Sequence, residues 1–357
     1  MSKDSRTLTE KMKASLSALP ITLSPCTSRW CAAFLILLGC AMQSTAQQPK
    51  LVSLSSVQTR FASSNEAQRY LQTEDLFLRS LSAFDRSARL KTSKDTDTAE
   101  YVKFITGQTK DWTDNEKEKI STIMQRIGVA IADYQLLFPQ EIVFVKTTGK
   151  EEGNAAYCRG DNVIVLPNRN AAQSIERLYR VILHELFHIY SRNNPDIQEK
   201  LYSILSFKKC QDFKWPDDIF RKKITNPDAA RDHYSFSSQI QGITYELMPI
   251  LLATSDYDEK KGGEFFDYLK LHFIAVTKNG DNMSPLVKND KYVMFALEHV
   301  PNYFELIGRN TDYIIHPEEI IAENFVLLIE NAKNLPNMDI LSKMKKVLPR
   351  SSQNGEK

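Results

Sequence analysis

Apolar positions along the chain change period twice, from helical spacing to short strands and back to helical spacing. Residues 67–90 read as helical, with Leu71, Leu78 and Leu81 on one side, and the polar run 92–98 reads as a loop. After Trp112, Thr113 and Glu116 have the spacing of a capping box. Ile120, Ile123, Met124, Ile127 and Ile131 then recur along one helical face. Residues 141–146 (EIVFVK) and 162–166 (NVIVL) are β-branched runs that predict strands, the second ended by Pro167. Gly149, Gly153 and Gly160 mark turns around an edge strand such as 155–159. A long helix follows over about 171–191, stopped by Asn193, Asn194 and Pro195.

Residues 195–311 read as mostly helical, with apolar core segments at 246–253 (ELMPILLA) and 265–276 and loops at 226–228 and 278–282. A last strong helix starts at Pro317, a residue suited to the first helical turn, and runs to about Ala332. Residues 47–63, rich in Gln and Ser, read as a mobile linker. The pattern predicts an α+β fold, helix-rich, with a small mixed sheet before the 171–191 helix. Its organisation reads as a leader (1–46), a linker and helical region (47–111), a main domain (112–335) with a helical insertion (about 196–311), and a tail (336–357).

Charge changes this picture little. Lys+Arg 46 against Asp+Glu 44 leaves +2, which gives no reason to propose a nucleic-acid partner. The leader matters more. Residues 30–42 (WCAAFLILLGCAM), preceded by Arg29, are too short for a comfortable membrane span and fit a signal-peptide core. Ser44-Thr45-Ala46 offers small residues for cleavage before Gln47, and Met12, followed by Lys13, is a second candidate start. Leu37-Leu38-Gly39-Cys40 also resembles a lipoprotein box, although Leu38 is large for its place. Cleaved signal, Cys40-linked lipid and uncleaved anchor all place the body outside the cytoplasm, periplasmic or secreted, the last two attached to a membrane. Three of the five cysteines lie in the leader, leaving Cys158 and Cys210. An exported chain could join them or keep two thiols, and neither belongs to a CxxC pattern.

The candidate chemistry sits at His184-Glu185-Leu186-Phe187-His188. Residues four apart share a helix face, so both imidazoles can reach one metal ion, with Glu185 beside it to take a proton from water. Chance yields on the order of 0.01 such matches in a chain of this composition. The apolar neighbours Ile182, Leu183, Leu186, Phe187 and Ile189 place the motif on an amphipathic helix. Two histidines that only pack remain the plainer reading. A catalytic zinc needs a third protein ligand and an open position. Ser191 and Asn194 stand where an HExxHxxGxxH extension has Gly and His, which argues against that arrangement.

Glu319, four residues before Glu323 on the last helix, is the best third ligand. It shares a face with Ala322, Glu323 and Val326, whereas Glu318 is an alternative one helical step away. The plainer reading is an acidic, solvated helix start. This arrangement resembles the gluzincin zinc peptidases, and the segment EIIAENF is similar to the corresponding helix of the lethal factor-like metallopeptidases. The resemblance covers two helices and the preceding strands, a minority of the chain. It implies a zincin-like metallopeptidase fold, Zn2+ held by His184, His188 and Glu319, Glu185 as general base, and Glu323 holding a ligand histidine. It also implies a peptide or protein substrate paired to an edge strand, either 155–159 or 162–166, and a tyrosine, here Tyr313, that stabilises the oxyanion. Tyr313 could equally only pack. His316 could cap the helix, bind the oxyanion or replace Glu319, while His233, His272 and His299 read as structural. Two other classes stay open: a non-catalytic binding protein of the same fold, and a zinc amidohydrolase acting on a non-protein substrate. Residues 47–111 could also cover the cleft as an inhibitory segment.

Overall fold

In the strand Glu141–Thr147 successive side chains enter different cores. Ile142 and Phe144 join the main cluster, while Val143 and Val145 join a second one with Ala67, Leu71, Phe77, Tyr101 and Ile105. Both faces are therefore covered by helices, which is why the run is apolar throughout. The computed structural model describes residues 50–350 apart from 211–212, 232 and 280–281, so the leader lies outside the described residues. Among the described residues no helix is long and apolar enough to cross a membrane.

The first sheet has the order Gln58–Phe61, Glu141–Thr147, Val163–Pro167, Tyr157–Arg159. The first three are parallel, the last is an antiparallel edge, and Thr109–Lys110 pairs with one end of Glu141–Thr147. The described part of the stretch read as a mobile linker is thus built into sheets: Leu51–Ser53 pairs with Leu137–Pro139, and Gln58–Phe61 is an edge strand. Its polar residues suit an edge, with Arg60 Nε 3.1 Å from Glu141 Oε1. The single helix expected over 67–90 is three, Ser64–Gln72, Leu76–Ser80 and Ala83–Leu90, because Ser63, Asp75 and Ser82 each start a new one by side-chain capping. The capping box at Thr113 opens Asp114–Ala130 as expected.

The segment 196–311 is not mostly helical. Tyr234–Ile240, Ile243–Ala253 and Leu269–Asn279 form an antiparallel meander, extended by short strands to six. Gln241 (φ 51°) and Gly242 (φ 80°) close the first hairpin as a two-residue turn with both central residues left-handed. Pro249 lies beyond the residues paired with Tyr234–Ile240, where its missing N–H is tolerated. This sheet shares the main core: Phe236, Leu247 and Phe273 belong to the same cluster as Ile164, Leu186 and Phe187. The expected tail contains the helix Met338–Val347, which buries Ile340, Leu341 and Met344 in that core.

A buried ion network ties the N-terminal helices to the rest. Arg89 donates to Glu152 at 2.7 and 3.0 Å and to the Thr225 carbonyl at 3.0 Å, and it also pairs with Asp85. Asp85 in turn accepts from the Thr225 N–H at 2.9 Å and hydroxyl at 2.8 Å. Burial pushes the Glu152 carboxyl up to about 7 against the pull of Arg89. Arg89→Met leaves two buried acids without their cation, and we expect a stability loss of roughly 3–5 kcal/mol, read from denaturant unfolding. An unchanged midpoint would show that the network is not what holds this corner.

Candidate metal centre

The motif falls in the helix Ile175–Asn193, whose face of Leu178, Ile182, Leu183, Leu186, Phe187 and Tyr190 is buried. Its end is fixed by side chains: Asn193 Nδ2 donates to the Ile189 carbonyl (2.9 Å) and Asn194 Nδ2 to that of Tyr190 (2.7 Å). The second helix, Pro317–Ile329, is buried almost all round and meets the first where Phe187 and Phe325 pack with ring centroids 5.1 Å apart. Packing these two helices brings His184, His188 and Glu319 together, with one donor atom of each within 4.8 Å of the others.

Glu319 Oε2 lies 3.2 Å from His184 Nε2 and 3.6 Å from His188 Nε2. A tetrahedral ion with bonds of about 2.0–2.1 Å separates its donors by about 3.4 Å, so the spacing fits. The outer nitrogens face carboxylates of the same second helix. His188 Nδ1 is 2.8 Å from Glu318 Oε1, and His184 Nδ1 is 3.1 Å from Glu323 Oε1. Glu318 also accepts from Ser191 Oγ (2.8 Å), Gln198 Nε2 (3.3 Å) and the Tyr202 hydroxyl. It is thereby occupied in orienting His188, which leaves Glu319 as the third donor. A carboxylate on Nδ1 leaves the Nε2 lone pair for a metal. His188 Nε2 is buried with no hydrogen-bond partner, the kind of orphaned atom that a cation would satisfy. His184, His188 and Glu319 thus fit a metal ion, and Glu323 stands beside His184.

His316 is the N-cap of the second helix, its Nδ1 accepting from the Glu318 N–H at 3.1 Å. Of the roles open to it, capping is the one the geometry shows; it packs against Tyr202 and Tyr234 and does not line the cavity. Tyr313 does line it, with its ring nearly parallel to that of His184 (15°, centroids 6.4 Å). Its loop is pinned where Tyr303 donates to the Ile314 carbonyl (2.6 Å) and Asn310 Nδ2 to Asn324 Oδ1 (2.8 Å). His233, His272 and His299 lie away from this cavity. No residue of 50–111 lines it either, so the covering segment considered from the sequence is instead packed behind the sheet.

Three residues of the site carry no sequence signal. Asn226 Nδ2 donates to Glu319 Oε1 at 2.5 Å, fixing that carboxylate. Asp228 accepts from the Cys158 N–H (2.7 Å), and the loop carrying it is tied to the first helix through Arg192, which donates to its carbonyl at 3.3 Å. Cys158 Sγ lies 3.3 Å from both Glu185 Oε2 and the Glu185 carbonyl. Cys158 and Cys210 are free thiols in separate clusters, so the disulfide left open by the sequence is not formed. Cys158, Glu185 and Asp228 form a second potential donor group, but the thiol is raised well above its ordinary value by burial and by Glu185, which opposes metal ligation.

The cavity above the site has a volume of about 660 Å³ and is lined by His184, Glu185, Asp228, Tyr313, Glu319 and Glu323 among others. Burial, then the charge of Asp228, raises the Glu185 carboxyl to about 8. Burial opposes a charged His184, yet Glu319 and Glu323 raise its imidazole to about 10, and His188 is raised too. Glu319 is held well below the carboxylate range despite burial, because both imidazoles face it. Comparison with family models, curated proteins and solved structures finds no match to this chain.

A cation entering this site must displace protons from raised imidazoles. The folded metal-free chain holds these protons up to about pH 10 at His184, so metal affinity should rise steadily from pH 6 to 9. Calorimetric titration in buffers of different ionisation enthalpy should report proton release, and a pH-independent affinity would contradict the site. Glu318→Gln should weaken metal binding roughly 10- to 100-fold through the loss of His188 orientation.

Proposed function

We propose that the chain is an exported zinc-dependent metallopeptidase of the gluzincin type. The observation that carries this reading is the shared approach of one Glu319 oxygen to both motif imidazoles, beside Glu185 in an open cavity. A set of two histidines and one glutamate suits zinc in catalytic sites that keep one position free. Zinc held there by His184, His188 and Glu319 would act as a Lewis acid that polarises a carbonyl and lowers the pKa of water.

The chain's own residues supply the rest. With a cation bound, Glu185 would be a carboxylate that takes a proton from water as the water oxygen bonds to the scissile carbonyl carbon, and it would pass that proton to the amine nitrogen as the C–N bond breaks. The Tyr313 hydroxyl, kept protonated by burial and by Glu319 and Asp228, donates to the developing oxyanion. Asn226 and Glu318 hold the ligands in place, and His316 holds the helix start. The edge strand Tyr157–Arg159 gives an extended peptide a backbone to pair with. Val163–Pro167 is paired on both sides and offers no free edge. Because Asp228 takes the Cys158 N–H and turn bonds take those of Asn154 and Ala155, the peptide would donate to the cavity-lining carbonyls of residues 154–156. Gly153, in the left-handed region, sets the turn before them; a Cβ there would lie 2.8 Å from the Phe266 ring.

Glu185→Gln should keep stoichiometric zinc and lower peptide hydrolysis by roughly 10²- to 10⁴-fold. Tyr313→Phe should lower kcat by roughly 10²-fold with zinc retained, and an unchanged kcat would remove its oxyanion role. A zinc-loaded chain that cleaves nothing in a diverse peptide library would overturn the peptidase reading.

A further inference from the structure

The cavity is polarised. Its lining includes the acids Glu185, Asp228, Glu319 and Glu323 and the guanidiniums of Arg169, Arg177 and Arg180. Arg177, Arg180 and His184 recur at helical intervals along one face of Ile175–Asn193. At a rise of about 1.5 Å per residue, Arg180 and Arg177 stand about 6 and 10 Å from His184 along the helix axis. That distance is about two to three residues of extended peptide. Arg169 joins them from the short helix Asn168–Ala171, which packs against the start of the longer one.

The three cations are not equally engaged. Arg180 pairs with Glu330. Arg169 and Arg177 are exposed, and neither guanidinium has a hydrogen bond or ion pair with any described residue. The helix N-terminus adds partial positive charge close to Arg177. The wall is completed by the uncharged Asn170 and Gln173. No described residue of this wall neutralises the two guanidiniums, so an anion from the substrate would meet unpaired donors there.

We infer that the cavity selects substrates with a carboxylate about three residues from the scissile bond, bound by Arg177 and Arg169. The inference rests on the metallopeptidase reading and names its substrate class. The carboxylate comes either from an Asp or Glu side chain or from the chain's C-terminus, since the guanidinium chemistry is the same for both.

The test uses the full zinc-loaded chain and a cleaved peptide scanned with Glu or Gln on each side of the bond, with free or amidated C-terminus. Two solvent-facing guanidiniums each give a modest gain, so kcat/KM should favour the charged member of a pair by about tenfold. In Arg169→Ala/Arg177→Ala the ratio within each pair should fall to one, and Arg177→Glu should invert it. A response only to the free C-terminus assigns the anion to the chain end, and a response only to Glu assigns it to a side chain; both support the inference. Equal kcat/KM across all pairs overturns it while the peptidase reading stands. Binding of the same peptides, fluorescently labelled, to Glu185→Gln is the second readout. Charge-selective, arginine-dependent binding with no hydrolysis by the wild-type chain keeps the anion site and overturns the peptidase reading.

Discussion

Glu319 places a carboxylate, 1% exposed, between two imidazoles that lie 135 and 131 residues back along the chain. An isolated carboxylate cannot remain charged at such burial, so its partners must be held against it by the whole fold. The first sheet sets the depth of the His184–His188 helix, and the second sheet shares its core. The Phe187–Phe325 contact then sets the distance between the two helices. The loop at residues 225–228 adds Asn226 to Glu319, and that loop is anchored by Thr225 to the Asp85–Arg89–Glu152 network. The N-terminal helices therefore reach the site without lining it.

The balance of charge explains the shifts at the site. Glu185, Asp228, Glu318, Glu319 and Glu323 cluster around His184 and His188. Without a dication, the excess of acid and the burial are answered by protons: raised imidazoles at both histidines and raised carboxyls at Glu185 and Asp228. Binding a divalent cation replaces those protons, and the Nδ1 partners Glu318 and Glu323 keep both rings turned to it.

The parts of this site visible in the sequence are those set by helical spacing. His184 and His188, Glu319 and Glu323 are both four-residue pairs, so each helix alone aims them. Glu318 was visible only as a rival ligand, because its role depends on Ser191, Gln198 and Tyr202 from other turns of the chain. Asn226, Asp228 and Cys158 were invisible, since a loop and a strand end reach the site only through tertiary packing. The larger error, reading strands at 243–253 and 269–279 as helical, arose because continuous apolar runs carry no period. The Gln241-Gly242 turn was the local signal that could have separated them.

The most direct test is anomalous diffraction at the zinc edge from crystals of the zinc-loaded chain. The account predicts one peak within bonding distance of His184 Nε2, His188 Nε2 and Glu319 Oε2, with Glu318 and Glu323 still on the outer nitrogens. A peak at the Cys158–Glu185–Asp228 group, or ligation by Glu318 in place of Glu319, would contradict it.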